Sequence, residues 1–277
     1  VQYLRAAGYE KVFLVGNSGG AALASFYQAQ AEKLTATHFP DGDPTHLHPD
    51  DLPPVDGIAL CAAHLGRTRL MRDWIDPSVV DEHDPLSVDP ELDMYDPRRR
   101  VPYEPEFLAR FSAAQKARLD RIEQWCIDRL ALLRGTPGAP RDQTFIVYRT
   151  HADPRCVDLS LDANDRLPGS VWGDARQVNY SANAMGRTTS LTAFLSQWSS
   201  RSQADGPTNL ARTTVPKLLL TYTGDQSTFP STRDAWMAAG GTRIRNVDIV
   251  GGNHYLAGQP ELVPKAVDAI AEFAHAL

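Results

Sequence analysis

The sequence has no apolar run long enough to cross a membrane, and its first residues lack a basic stretch followed by an apolar core. Positive charge is not in excess either, because 28 Lys and Arg stand against 34 Asp and Glu, a net charge of -6 at pH 7. Nucleic acids and anionic membranes attract basic surfaces, so neither is expected as a partner. We expect a soluble, cytoplasmic protein.

Cysteine is scarce in the 277 residues. Cys61, Cys126 and Cys156 are odd in number and scattered in spacing, which predicts buried or free thiols rather than a disulfide framework. His46 and His48 stand near aspartates in a polar stretch, but structural metal sites need more ligands at defined spacing. We therefore predict a solvated loop there, and neither a metal nor an organic cofactor.

The two ends of the chain contain an alternation of short apolar runs and amphipathic segments. Buried strands are predicted at residues 11–15, 55–63, 217–222 and 243–250. Helical patterns follow them at 20–32, 230–241 and 262–277. Strands that alternate with helices predict an α/β fold with a mostly parallel sheet.

Residues 67–212 have a different character and look like an insertion into this sheet. The clearest helical pattern runs from 105 to 135, with apolar residues at three- and four-residue steps. A shorter helix is predicted over 189–201, whereas residues 76–105 are acidic and Pro-rich, which predicts a long loop. The expected organisation is a core of residues 1–66 and 213–277 with a largely helical cap between them.

The stretch KVFLVGNSGGAAL places a serine between a strand and a helix. A serine hydroxyl becomes a useful nucleophile only when it is held out of regular structure and given a base. Gly-x-Ser-x-Gly does the first, because small residues at Gly16 and Gly20 let the strand and the helix approach each other. The Gly19 N–H then lies at a helix N-terminus, where it can stabilise negative charge. A phosphate-binding loop is disfavoured, since neither the dinucleotide glycine spacing nor the P-loop lysine is present.

Two further polar residues follow later strands. Asp225 ends the sequence TGD and His254 ends GGNH, 29 residues further on, which is about the length of one strand–helix–strand unit. The carboxyl ends of parallel strands meet at one edge of the sheet, so we expect both side chains near Ser18. The order Ser, Asp, His is that of the strand–turn–helix serine hydrolases.

These motifs together resemble the α/β-hydrolase superfamily, in particular its serine esterase, lipase and thioesterase branches. The resemblance covers residues 1–66 and 213–277, and the inserted region matches cap or lid domains only loosely. It implies these roles: Ser18 as nucleophile, His254 as general base and then acid, Asp225 as the group that orients the imidazole, and the Gly19 N–H as one oxyanion donor.

The activity implied by this resemblance is cleavage of a carboxylic ester or thioester of a small-molecule acyl substrate. An amidase, a peptidase or a carbon–carbon bond hydrolase on the same triad stays open, as does a non-catalytic subunit that retains the fold. Candidate substrate contacts are Asn17 in the turn, His64 after the second strand, and Phe194 and Trp198 in the 189–201 helix. For the last two, packing within the cap is the favoured interpretation.

The strand at residues 11–15 is the first of the chain, whereas in the α/β-hydrolase fold the nucleophile strand has neighbours on both sides. The sequence therefore leaves an apolar strand at a sheet edge. It also lacks the loop after an earlier strand from which the family takes its second oxyanion donor. We expect an N-terminal segment or a second chain to supply the other strands. The oligomeric state is not predicted.

Overall fold

The computed structural model describes residues 1–182 and 184–277. Its strands are β1 Phe13–Asn17, β2 Gly57–Cys61, β3 Val79–Asp81, β4 Asp84–Val88, β5 Thr144–Ile146, β6 Thr188–Ser190, β7 Lys217–Tyr222 and β8 Ile244–Ile249. The central sheet has the order β1-β2-β7-β8, and each neighbouring pair is parallel. The predicted α/β class is therefore confirmed.

Helices cover both faces of this sheet. The helices of the chain are α1 Gln2–Ala6, α2 Gly19–Glu32, α3 Arg67–Trp74, α4 Pro105–Gly135, α5 Ala175–Tyr180, α6 Leu191–Gln197, α7 Gly206–Leu210, α8 Pro230–Gly240 and α9 Val263–His275. Successive residues of a strand point to opposite faces. Accordingly, Leu218 and Leu220 pack with Phe273 of α9, whereas Leu219 packs with Trp236 of α8 and Ala21 of α2. The sheet is thus the middle layer of three.

Residues 67–212 build most of a second hydrophobic core. Leu70 of α3, Ile122 and Leu130 of α4, and Leu195 of α6 are buried together there. The end of this stretch belongs to the core of the central sheet instead, because Leu210 of α7 is packed in the cluster beneath α2 and α8.

The prediction of a long loop over residues 76–105 is wrong in part. Strands β3 and β4 pair antiparallel within it. Acidic residues stabilise the turn instead of opening it, since the Asp81 side chain accepts from the His83 N–H and the Asp84 side chain from the Leu86 N–H. The helix predicted from residue 189 begins at Leu191, because residues 188–190 pair with β5 as a strand.

The cysteines match the sequence prediction. Cys61, Cys126 and Cys156 are all buried and unbonded. Burial raises the pKa of Cys61 to about 11 and that of Cys126 to about 12, so neither thiol ionises near neutral pH. Across the described residues, no helix combines the length and the apolarity needed to cross a bilayer.

Candidate active site

Ser18 lies at the sharp turn between β1 and α2. Its backbone has φ 54° and ψ -119°, a region that side-chain-bearing residues rarely occupy and that costs about 1–3 kcal/mol. The turn is anchored to the neighbouring strand, because the Ser18 N–H donates to the Cys61 carbonyl over 2.8 Å. This conformation ends β1 abruptly, and it leaves the Ser18 hydroxyl outside both the strand and the helix that follows.

The two glycines that flank Ser18 are not equivalent. A Cβ on Gly16 would lie 2.6 Å from the Gly20 carbonyl oxygen and 2.7 Å from the Ala21 Cα. A Cβ on Gly20 would meet no heavy atom within 4 Å. The close approach of strand and helix therefore depends on Gly16, and the same requirement does not extend to Gly20.

We expect Gly16→Ala and Gly20→Ala to have different effects on the stability of the protein. Gly16→Ala forces backbone atoms apart and should lower the free energy of unfolding by about 1–3 kcal/mol or more. Gly20→Ala adds a better helix former in open space and should be neutral or stabilising by up to about 1 kcal/mol. Urea unfolding of the two variants measures the difference, and equal losses would contradict the geometry.

Asp225 and His254 reach Ser18 from the loops that follow β7 and β8. The Ser18 Oγ lies 3.0 Å from the His254 Nε2, and the His254 Nδ1 lies 2.7 Å from the Asp225 Oδ2. Because a carboxylate only accepts, Nδ1 carries the imidazole proton and Nε2 accepts from the Ser18 hydroxyl. His254 is 3% exposed and Asp225 is fully buried, so the contact between these two side chains is shielded from water. The three predicted residues form one hydrogen-bonded chain.

The Asp225 carboxylate is held by residues that the sequence analysis did not identify. The backbone N–H groups of Ser227 and Thr228 donate to its Oδ1 at 2.7 and 3.3 Å. The Thr228 hydroxyl donates to the Oδ2 at 2.7 Å, and the Ser227 hydroxyl donates to the Oδ1 at 3.1 Å. A signal was present in the sequence, because an Asp followed by Ser and Thr two and three residues later is typical of a side-chain-capped turn.

The other predicted contacts divide into two groups. Asn17 is the last residue of β1, directly before the turn, and its side-chain amide is 3.4 Å from the Cys61 carbonyl. His64 is packed against the turn, since a Cβ on Gly19 would lie 3.0 Å from the His64 Nε2. Phe194 and Trp198 are instead buried in the core of the insertion, 0% and 7% exposed. The structure therefore gives Phe194 and Trp198 a packing environment and leaves their contact with substrate a hypothesis.

Parts of the insertion contact the edge of the sheet that carries Ser18. The Asn164 amide donates to the Asp225 carbonyl at 2.9 Å. A narrow space of about 40 Å³ beside Gly19 is lined by Arg67 and by Ser196 of α6. It shares Leu23, Ser196 and Ala204 with an apolar cavity of about 310 Å³, which Phe26, Phe39 and Leu47 also line. Apolar space therefore lies within reach of the turn.

Known proteins similar to this chain are found among solved structures only. No protein-family model and no curated protein sequence matches the chain. Among solved structures, the esterase domain of a Rhodothermus marinus protein is 10% identical, with a TM-score of 0.38 over 94% of this chain and 60% of that one. DcsB, solved with its substrate analogue, is 14% identical, with a TM-score of 0.48 over 97% and 66%. Monoacylglycerol lipase of Paleococcus ferrophilus is 15% identical, with a TM-score of 0.43 over 99% and 71%.

The chain thus spans 60% and 66% of the length of the first two of these proteins. Its parallel sheet order, the serine turn after β1 and the Asp and His loops after β7 and β8 form an α/β-hydrolase type of fold.

Proposed function

We propose that this chain is the catalytic part of a serine hydrolase that cleaves a carboxylic ester or thioester. The observation that supports this most strongly is the relay from the Ser18 Oγ to the His254 Nε2 at 3.0 Å and from the His254 Nδ1 to the Asp225 Oδ2 at 2.7 Å. A strained serine joined to a buried His–Asp pair is the arrangement that activates a hydroxyl nucleophile.

The proposed reaction has two steps. The Ser18 Oγ attacks the acyl carbonyl carbon, its proton passes to the His254 Nε2, and that proton then goes to the departing alcohol or thiol. A water molecule next gives a proton to His254 as its oxygen attacks the acyl carbon, and that proton returns to the Ser18 Oγ as the acyl–Oγ bond breaks and the carboxylic acid leaves. In both steps Asp225 stabilises the charged imidazole, and the Gly19 N–H donates to the oxygen that becomes negative.

The environment of the turn favours an apolar acyl group. The space beside Gly19 shares Leu23 with the neighbouring apolar cavity lined by Phe26, Phe39 and Leu47, and burial of each methylene of an acyl chain there would stabilise the complex by about 0.8 kcal/mol. We propose residues 67–212 as the cap over this site, since Ser196 and Arg67 line the same space. Amide and carbon–carbon bond cleavage on the same triad, and a silent subunit, remain alternatives.

A substrate screen tests this proposal directly. Purified protein is first labelled with a serine-reactive phosphonate, and is then assayed with p-nitrophenyl esters of graded chain length, acyl-CoA thioesters and p-nitroanilides. We expect labelling at Ser18 and ester or thioester turnover that rises with acyl length. Labelling with turnover of anilides alone would favour the amidase alternative, and absence of both would favour the silent subunit.

The free edge of β1 supports a second part of the proposal. Within the described residues, β1 pairs with β2 and with no other strand. The Asp56 N–H donates to the Val12 carbonyl, and the Ser18 N–H donates to the Cys61 carbonyl, so Val12 and Ser18 both face β2. Because backbone N–H and C=O groups point to alternate sides along a strand, those of Phe13, Val15 and Asn17 point away from β2. Val15 is also 52% exposed. We propose that a strand from another segment or chain pairs along this edge.

Hydrogen exchange at two adjacent amides tests this pairing. In the 277-residue chain alone, the Val15 N–H faces the free edge and should exchange at least about 10-fold faster than the Gly16 N–H, which faces β2. In the protein purified from its source, we expect both amides to be protected alike. Gly16 is the internal control, and fast Val15 exchange in the source protein would contradict a paired edge.

A further inference from the structure

His64 combines burial with an unused donor. It is 5% exposed, and its Nδ1 accepts the Gly66 N–H at 3.2 Å. In a neutral imidazole with one accepting nitrogen, the other nitrogen carries the proton. The His64 Nε2 is therefore an N–H donor, and among residues 1–182 and 184–277 it has no hydrogen-bond acceptor. This N–H is therefore available to an acceptor from outside the described chain.

The surroundings of His64 keep this donor neutral. Burial, followed by the charges of His254 and Arg67, lowers the pKa of His64 to about 4. The ring therefore stays uncharged near neutral pH. A neutral ring that donates from Nε2 cannot take the Ser18 proton, so His64 does not compete with His254 as a base.

The His64 donor lies close to the backbone N–H of Gly19. A Cβ on Gly19 would lie 3.0 Å from the His64 Nε2, and the nitrogen and Cβ of one residue are about 2.5 Å apart. The Gly19 nitrogen and the His64 Nε2 are consequently no more than about 5.5 Å apart. Two N–H groups can share one oxygen at about 2.9 Å each when their nitrogens are within about 5.8 Å. The distance between the two nitrogens thus allows one substrate oxygen to accept from both.

We propose that the His64 Nε2–H is the second oxyanion donor, and that it acts with the Gly19 N–H on the acyl carbonyl oxygen of the substrate. This assignment rests on the proposed serine hydrolase function. It gives a role to the glycine at position 19, because a Cβ there would lie only 3.0 Å from the His64 Nε2 and would crowd the imidazole. It also supplies the second donor from this chain itself, by a residue that follows β2.

Replacement of the donor tests the assignment. His64→Phe keeps a planar ring without an N–H, and His64→Gln places an amide N–H near the Nε2 position. With a p-nitrophenyl ester, we expect His64→Phe to lower kcat by about 10²–10³-fold with KM changed by less than about 5-fold. His64→Gln should recover at least about 10-fold of that loss. His275→Phe, in the last turn of α9, is the control for loss of an imidazole and should retain full activity.

A transition-state analogue separates donation from a structural role. Phenylboronic acid forms a tetrahedral adduct with the serine, so its affinity should fall in His64→Phe in proportion to kcat/KM. If His64→Phe fails to fold, Gly19→Ala replaces it, because the added Cβ would lie 3.0 Å from the Nε2 and press on the imidazole while the Gly19 N–H is kept. Wild-type kcat in the folded variant, or unchanged boronate affinity beside a lowered kcat, would overturn the assignment. Absence of turnover and labelling in the wild type would instead refute the hydrolase function itself.

Discussion

Ser18→Ala is expected to reduce kcat by a factor on the order of 10⁶, because loss of the nucleophile removes the covalent route altogether. His254→Ala should cost nearly as much, since the Ser18 hydroxyl then has no base within 3.0 Å. The fold should survive in Ser18→Ala. The unusual backbone conformation of residue 18 is equally costly for Ala and for Ser, so the thermal midpoint should move little.

Ser25→Ala is the matched control for this experiment. Ser25 also lies in the chain segment of the turn and α2, and its buried hydroxyl donates to the Ala21 carbonyl at 2.9 Å. Its loss should cost about 1 kcal/mol of stability and no activity. A phosphonate probe should label the wild type and Ser25→Ala but not Ser18→Ala. Undiminished ester hydrolysis by purified Ser18→Ala would exclude the proposed mechanism.

The part of the fold that follows from local pattern was predictable. Apolar runs placed the four strands that the structure describes in the central sheet, with ends that differ by a few residues from Phe13–Asn17 and Ile244–Ile249. Asn17 belongs to β1 although the turn motif suggested otherwise, because it still pairs in register with Cys61. Ser18, Asp225 and His254 were identifiable since each follows such a run at the same edge of a parallel sheet.

Contacts between residues distant in sequence were not predictable. Nothing in the pattern around Gly206–Leu210 indicates that Leu210 packs beneath α2 and α8. The contact of His64 with Gly19 depends on how β2 lies beside β1, and no local motif encodes it. The pairing of β3 with β4 depends on aspartates that accept from the turn backbone, whereas acidic composition alone favours a loop.

Asp225→Asn is the second variant with a large expected effect, and the structure determines how its amide would be oriented. The backbone N–H groups of Ser227 and Thr228 both donate to the Oδ1, at 2.7 and 3.3 Å. The amide oxygen must therefore take the Oδ1 position, and the NH₂ group must take the Oδ2 position, 2.7 Å from the His254 Nδ1. Two donors would then face each other there.

The imidazole can relieve this conflict by changing tautomer, so that Nδ1 accepts from the amide and Nε2 carries the proton. An Nε2–H cannot accept the proton of Ser18, which lies 3.0 Å away. We therefore expect kcat to fall by about 10⁴-fold with the geometry of the site preserved, a smaller loss than that of Ser18→Ala.

Asp174→Asn is the matched control, because Asp174 caps α5 by accepting the Gln177 N–H and Asn caps helices equally well. Steady-state ester hydrolysis of both variants measures the effect. If Asp225→Asn kept more than about a tenth of wild-type kcat, the His254 tautomer would not depend on Asp225, and the proposed role of this carboxylate in orienting the base would be wrong.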